Sequence, residues 1–135
     1  LTSTAANATD WRFVFPSGKK PDRTLFWINV ESIKRNGDEV RSWIEDVWEK
    51  PGPLGTNVSI RLMAFDCSEK TYRTISGSFY RDNAPTGDFT PEPAKYVIPD
   101  SSMDYVLKAV CDRTYGATPV DDPLAMSMAL FAKIN

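Results

Sequence analysis

The sequence predicts an α+β fold: an antiparallel sheet of about six strands with a helix packed on one face, followed by a C-terminal helix. Three observations carry this. Segments rich in Val, Ile, Phe, Trp and Tyr alternate between two faces over most of the first hundred residues. Turn-forming runs punctuate them, "PSGKKPD", "NGD", "PGPLG" and "DNAPTGDFTPEP". Two late segments then change to the 3.6-residue spacing of amphipathic helices.

The first strand is expected in "WRFVF", with Trp11, Phe13 and Phe15 on one side. "LFWINVESIKR" follows, placing Phe26, Ile28 and Val30 on one face and Leu25 and Trp27 on the other. Asn36-Gly37 is the dipeptide that most readily takes the two positive-φ positions of a type I′ turn, so a hairpin is expected there. The next segment, "VRSWIEDVWEK", is ambiguous. Val40, Trp43, Ile44, Val47 and Trp48 have helical spacing, but the β-branched and aromatic content and the upstream turn favour a strand. "VSIRLMAFDC" is a cleaner strand, with Val58, Ile60, Leu62 and Ala64 facing one way and Arg61, Met63, Phe65 and Cys67 the other. "TYRTISGSFYR" should pair with it, Ile75 and Phe79 on one face and Tyr72 and Tyr80 on the opposite one. A proline-broken loop over 82–93 leads to a short strand, "AKYVI".

Ser101 is a suitable N-cap, with Asp104 three residues on able to reach back as in a capping box. The helix it starts carries Met103, Val106, Leu107, Val110 and Cys111 on one stripe. At the end of the chain, "VDDPLAMSMALFAKIN" combines an Asp cap with Pro123 in the first turn and a stripe of Leu124, Met128 and Phe131. Met126 and Leu130 leave that helix apolar nearly all round, so it must be buried. Strand 58–67 is apolar on both faces and needs a second cover. Docking of this helix there is favoured over pairing of two sheets in a homodimer.

The 135 residues suffice for one domain whose core requires no metal or crosslink. With 16 basic and 18 acidic side chains the net charge is −2, which offers no general attraction to phosphate backbones, and nucleic acid is not an expected partner. No apolar run approaches the roughly 20 residues that span a bilayer. The chain starts at Leu1, as a processed product would, and residues 1–10 read as a flexible leader.

Candidate chemistry is sparse. There is no histidine to act as base for a cysteine nucleophile, and no C-x-x-C pair for zinc. No Gly-rich phosphate loop, Ser-x-x-Lys pair or nucleophile elbow occurs. No catalytic residue, metal ligand or cofactor is therefore expected. Asp121-Asp122 and Asp100 with Asp104 read as helix caps or first-turn charges. Cys67 and Cys111 are left as a disulfide or as two buried thiols. A helix across the face of Met63 and Phe65 would bring the two sulfurs close.

The order "FWINVESI", a strand ending "AFDC", "TYRTISGSFY" and "VIPDSSMDYVLKAVC" with a trailing Tyr-Gly resembles the surface-adhesin protein E family of bacterial envelope proteins. The resemblance covers about residues 11–116, leaving 117–135 as a C-terminal helical extension. It implies a disulfide between Cys67 and Cys111 and favours a strand over 40–50. It also implies export to the cell envelope, periplasm or outer surface, with any membrane attachment through an N-terminal lipid anchor missing from this chain. The family's namesake binds host extracellular-matrix and serum proteins, and its binding region resembles 58–81 here. Cys67, Phe79 and Tyr80 match. Met63 stands where a basic residue is expected, while Lys70, Arg73 and Arg81 give the hairpin a basic character of its own. Lys70, Arg73, Tyr80 and Arg81 are thus the candidate protein-binding residues of a non-catalytic binding module. The rival is a structural or accessory domain that contacts envelope proteins of its own cell.

Overall fold

A computed structural model of the chain describes residues 10–133. The leader expected over 1–10 lies, apart from Asp10, outside them. The strands are β1 (Trp11–Ser17), β2 (Thr24–Asn29), β3 (Lys34–Asn36), β4 (Glu39–Trp48), β5 (Val58–Asp66), β6 (Thr71–Arg81), β7 (Ala84–Asp88) and β8 (Lys95–Tyr96). The helices are α1 (Ser102–Asp112) and α2 (Pro123–Lys133). The sheet runs β1-β2-β4-β5-β6-β7, every pairing antiparallel, with β3 on β4 and β8 on β6. The ambiguous 40–50 segment falls in β4, an interior strand of ten residues. Its helical spacing comes from apolar side chains on both faces of a sheet covered on both sides.

One face carries α1. Phe26, Ile28, Val40, Ile44, Met63 and Phe65 from the strands meet Val106, Leu107 and Val110 of the helix in the larger core. The other face carries α2, where Trp11, Leu25, Trp27, Val47 and Val58 pack with Phe131. Docking of the C-terminal helix on the sheet is therefore observed, but through a different stripe. Pro123, Ser127 and Phe131 are its buried positions, while Met128 and Met126 are exposed. Ser127 is fully buried because the Trp27 indole N–H donates to its hydroxyl at 2.9 Å. A small polar residue lets the helix approach the tryptophan and satisfies its donor, which two methionines could not do.

Three local readings are corrected. The hairpin at 36–39 turns on Gly37-Asp38, since Asn36 pairs with Glu39 and only Gly37 of the four has positive φ, 64°. That is what the first central position of a type II′ turn requires, one residue on from the expected I′ turn. A bulge at Val14 turns Phe15 to the α1 face, where it stacks on Tyr105 at 4.0 Å between ring centroids, away from Trp11 and Phe13. A second bulge, at Ile75, places Tyr72 on the α1 side and Tyr80 on the α2 side. Each inserted residue reverses the alternation beyond it.

Other departures are at segment ends. The stretch from Leu25 to Arg35 is broken by a 3-10 turn at Val30–Ser32, capped by the Asn29 side chain. The loop expected at 82–93 contains β7, which pairs with β6 despite Pro85 because it is an edge strand. The strand expected over 94–98 shrinks to Lys95–Tyr96. α1 is capped by Ser101, whose hydroxyl accepts from the Asp104 N–H at 3.3 Å. The Asp104 carboxylate reaches back one residue further than a capping box would, to the Asp100 N–H at 2.9 Å. That bond and Lys108 at 3.2 Å hold Asp104 below the ordinary carboxylate range.

Candidate functional site

The hairpin singled out in the sequence is anchored at one end. Cys67 follows β5, and Cys111 lies in the last turn of α1; a disulfide joins them across a Cα–Cα distance of 5.9 Å. The turn between β5 and β6 is built by Asp66, whose carboxylate accepts the N–H groups of Ser68 and Glu69 at 3.0 and 2.8 Å. Lys70 closes it in the left-handed region, φ 59°, with its side chain exposed. The turn and the α1 terminus are thereby one covalently tied unit.

The four candidate binding residues do not converge. Lys70 and Arg73 lie at the disulfide end of β6, whereas Tyr80 and Arg81 lie at its other end, about 26 Å away at the rise of an extended strand. Arg73 shares the Glu39 carboxylate with Arg41, at 3.3 and 2.9 Å, and the two guanidiniums hold Glu39 below its ordinary range. Asp66 lies opposite Glu39 on the neighbouring strand, so the two arginines sit beside two carboxylates. Arg81 is exposed, its side-chain stem against the space a Gly55 Cβ would fill. Tyr80 is half-buried on the α2 face.

Two further constellations escaped the sequence reading. On the α1 face beyond the helix, Phe79 stacks on Phe89 at 4.1 Å, and Trp48 meets Phe79 edge-on at 6.4 Å. Arg61 lies 5.1 Å from the Phe89 ring and 3.7 Å from the Asp46 carboxylate. Asp46 is buried and also accepts from the Trp48 indole at 2.7 Å and from the Ser59 hydroxyl. Gly77 makes room for this, because a Cβ there would stand 2.8 Å from the Arg61 Cα. A half-buried arginine over an aromatic ring is a packing device that needs long-range pairing to be seen.

The second is a cavity of about 400 Å³ on the α2 face, between β4–β6 and the start of α2. Glu45 lines it, only 5% exposed. Burial first, then the charges of Asp46 and Asp122, push its carboxyl up to about 8. Asp82, Asp121 and Asp122 line the same cavity. Asp122 caps α2 as expected, accepting the Ala125 N–H at 3.1 Å, while Asp121 lines the cavity. A separate apolar cavity of about 580 Å³ lies where α2 and residues 116–120 meet the outer strands, lined by Phe13, Leu25, Trp27 and Leu130 among others.

Residues 116–120 run along the outer edge of β1. Trp11 and Val120 exchange backbone hydrogen bonds at 3.2 and 2.8 Å, and the Gly116 N–H donates to the Phe13 carbonyl at 2.8 Å. At the far end of α2, the Arg23 guanidinium holds Glu49 through two 2.7 Å bonds and donates to the Phe131 carbonyl at 3.0 Å. A cation on a C-terminal carbonyl suits the helix dipole.

The family model described as surface-adhesin protein E matches residues 11–112, about three quarters of the chain. No curated protein matches the chain.

Proposed function

The chain belongs to the surface-adhesin protein E family, and from that premise we propose that it is a non-catalytic, exported binding module of a bacterial envelope that attaches to host extracellular-matrix or serum proteins. Membership itself supports a surface, protein-binding role. The observation that carries the reading is the family match over the whole segment from β1 to α1, including the disulfide-anchored β5–β6 hairpin.

The hairpin supplies an extended surface rather than a pocket. Lys70 at the turn, Arg73 near it and Arg81 at the far end place cations at both ends of β6, with Tyr80 on the face opposite Arg81. Such spacing suits an acidic partner surface contacted along a line, with the charges governing association rate and the aromatic contributing contact area. The disulfide fixes the turn against α1, so little ordering is required on binding.

The test is solid-phase binding to laminin, vitronectin and plasminogen. Saturable binding to at least one is expected, weakened at least tenfold in the triple variant K70A/R73A/R81A with its melting temperature unchanged. Stability should hold because Glu39 keeps Arg41 when Arg73 is removed. Absence of saturable binding to all three, or an unaffected triple variant, would favour a domain that contacts proteins of its own cell.

A further inference from the structure

The cavity between β4–β6 and α2 has an unusual lining. Among its described residues are four carboxylates, Glu45, Asp82, Asp121 and Asp122, and no Lys or Arg. Asp82 and Asp122 are partly committed. Asp82 accepts from the Asn57 amide at 3.1 Å, and Asp122 caps α2. Glu45 differs from both. It is more than nine-tenths buried, lines the cavity and has no hydrogen-bond or ion-pair partner among the described residues.

A buried carboxyl without a partner is costly in either protonation state, and more so when ionised. The surrounding groups make this worse. Asp122 faces Glu45 from the helix start, Asp46 is adjacent on β4, and β1 and β5 offer only Trp11, Val58 and Ile60. What would relieve the site is a positive charge delivered from outside. The apolar walls specify more. Trp11, Ile60, Tyr80 and Leu124 would cover a hydrocarbon stem while the carboxylates meet a charged tip.

We propose that this cavity receives a cationic side chain, a lysine or arginine, from a partner polypeptide. A bare metal ion fits less well. No three acidic or other ligating side chains converge as a coordination shell among the described residues, and an ion would leave the apolar walls uncovered. The volume, about 400 Å³, is at the lower end of the range for small-ligand sites and suits one side chain. The inference extends the protein-binding reading by naming a second contact and its chemistry, on the sheet face opposite α1. Glu45 and Asp82 lie within the family match, whereas Asp121 and Asp122 come from the segment that follows it.

Binding needs an ionised Glu45, which is scarce in the empty cavity. With its carboxyl pushed up to about 8, roughly one molecule in a hundred is ionised at pH 6 and about half at pH 8. Affinity for a cation should therefore rise on the order of fifty-fold over that interval, with a proton released on binding.

The experiment is titration of the full chain with Nα-acetyl-lysine methylamide, Nα-acetyl-arginine methylamide and the neutral Nα-acetyl-norleucine methylamide. Amide shifts in ¹H–¹⁵N spectra are followed from pH 6 to pH 8. These small probes report on the cavity whether or not matrix proteins bind the hairpin, so the two readings fail separately. The expected result is millimolar binding of one or both cations, with shifts at residues 45, 60, 80, 121, 122 and 124. The norleucine probe should bind at least tenfold more weakly. Glu45→Gln should lose at least tenfold in affinity together with the pH dependence. If that variant does not fold, Asp121→Asn serves instead, with a loss of a few-fold expected. Equal binding of the neutral probe, pH-independent affinity, or tighter binding of calcium at the same residues would each overturn the proposal.

Discussion

Glu45 shows how one residue can read as ordinary in sequence and unusual in structure. In "WIEDVWEK" it is one of three acids on a strand, and nothing in the spacing marks it. Pairing decides its fate, because β4 lies between Trp27 of β2 and Ile60 of β5 at that position. The consequence is measurable. Below the ordinary carboxylate range folded and unfolded chains both hold the proton. Between that range and pH 8 the unfolded chain releases it while the folded chain keeps it, so Glu45 makes stability fall as pH rises, levelling off above about 8. Glu45→Gln removes this penalty. Thermal denaturation should show the variant gaining on the parent by a few kcal/mol between pH 5 and pH 8, whereas a constant gap would mean that Glu45 ionises normally. Ser127 is the opposite case. Sequence ranks it below its methionine neighbours as a core residue, yet it receives the Trp27 indole N–H and lies fully buried.

Among the elements, strands and helices were legible because their periodicity is local, and their facing was legible only as far as the next bulge. Each inserted residue, Val14 and Ile75, reversed a face that alternation alone had fixed. α2 was legible as a helix but not as a stripe. Phe131 is its buried anchor, and Phe131→Ala should cost about 3 kcal/mol in urea denaturation and shift tryptophan emission to the red. Met128→Ala, at a site 49% exposed, should stay within about 0.5 kcal/mol. A loss at Met128 comparable to that at Phe131 would restore the stripe of Leu124, Met128 and Phe131 read from sequence. The disulfide ties elements 44 residues apart. By loop-closure entropy it contributes about 4 kcal/mol as an upper figure. Cys67→Ser with Cys111→Ser should therefore lower unfolding free energy by roughly 2–4 kcal/mol, and no thiol of the denatured parent should react with an alkylating agent before reduction.

At the scale of the molecule, one sheet serves two cores, and neither can melt without exposing the side chains that alternate into the other. Trp11, Trp27 and Trp43 lie on the α2 side, so fluorescence reports mainly that core, while far-UV circular dichroism reports the sheet and α1. The two signals should coincide through urea denaturation. An earlier fluorescence transition would show that α2 comes off as a separate unit. By itself the sequence determined that this is an α+β domain, which residues cap its two helices, which cysteines pair once the family pattern is recognised, and which cations the hairpin carries. These depend on neighbours in the chain or on an order of motifs. Only the tertiary structure decided which face each side chain takes beyond a bulge, that a serine rather than a methionine seats α2, and that four carboxylates from three separate segments share one cavity. Those outcomes follow from strand register and helix docking, which bring together residues as distant as Glu45 and Asp122. No local pattern of charge or hydrophobicity encodes them.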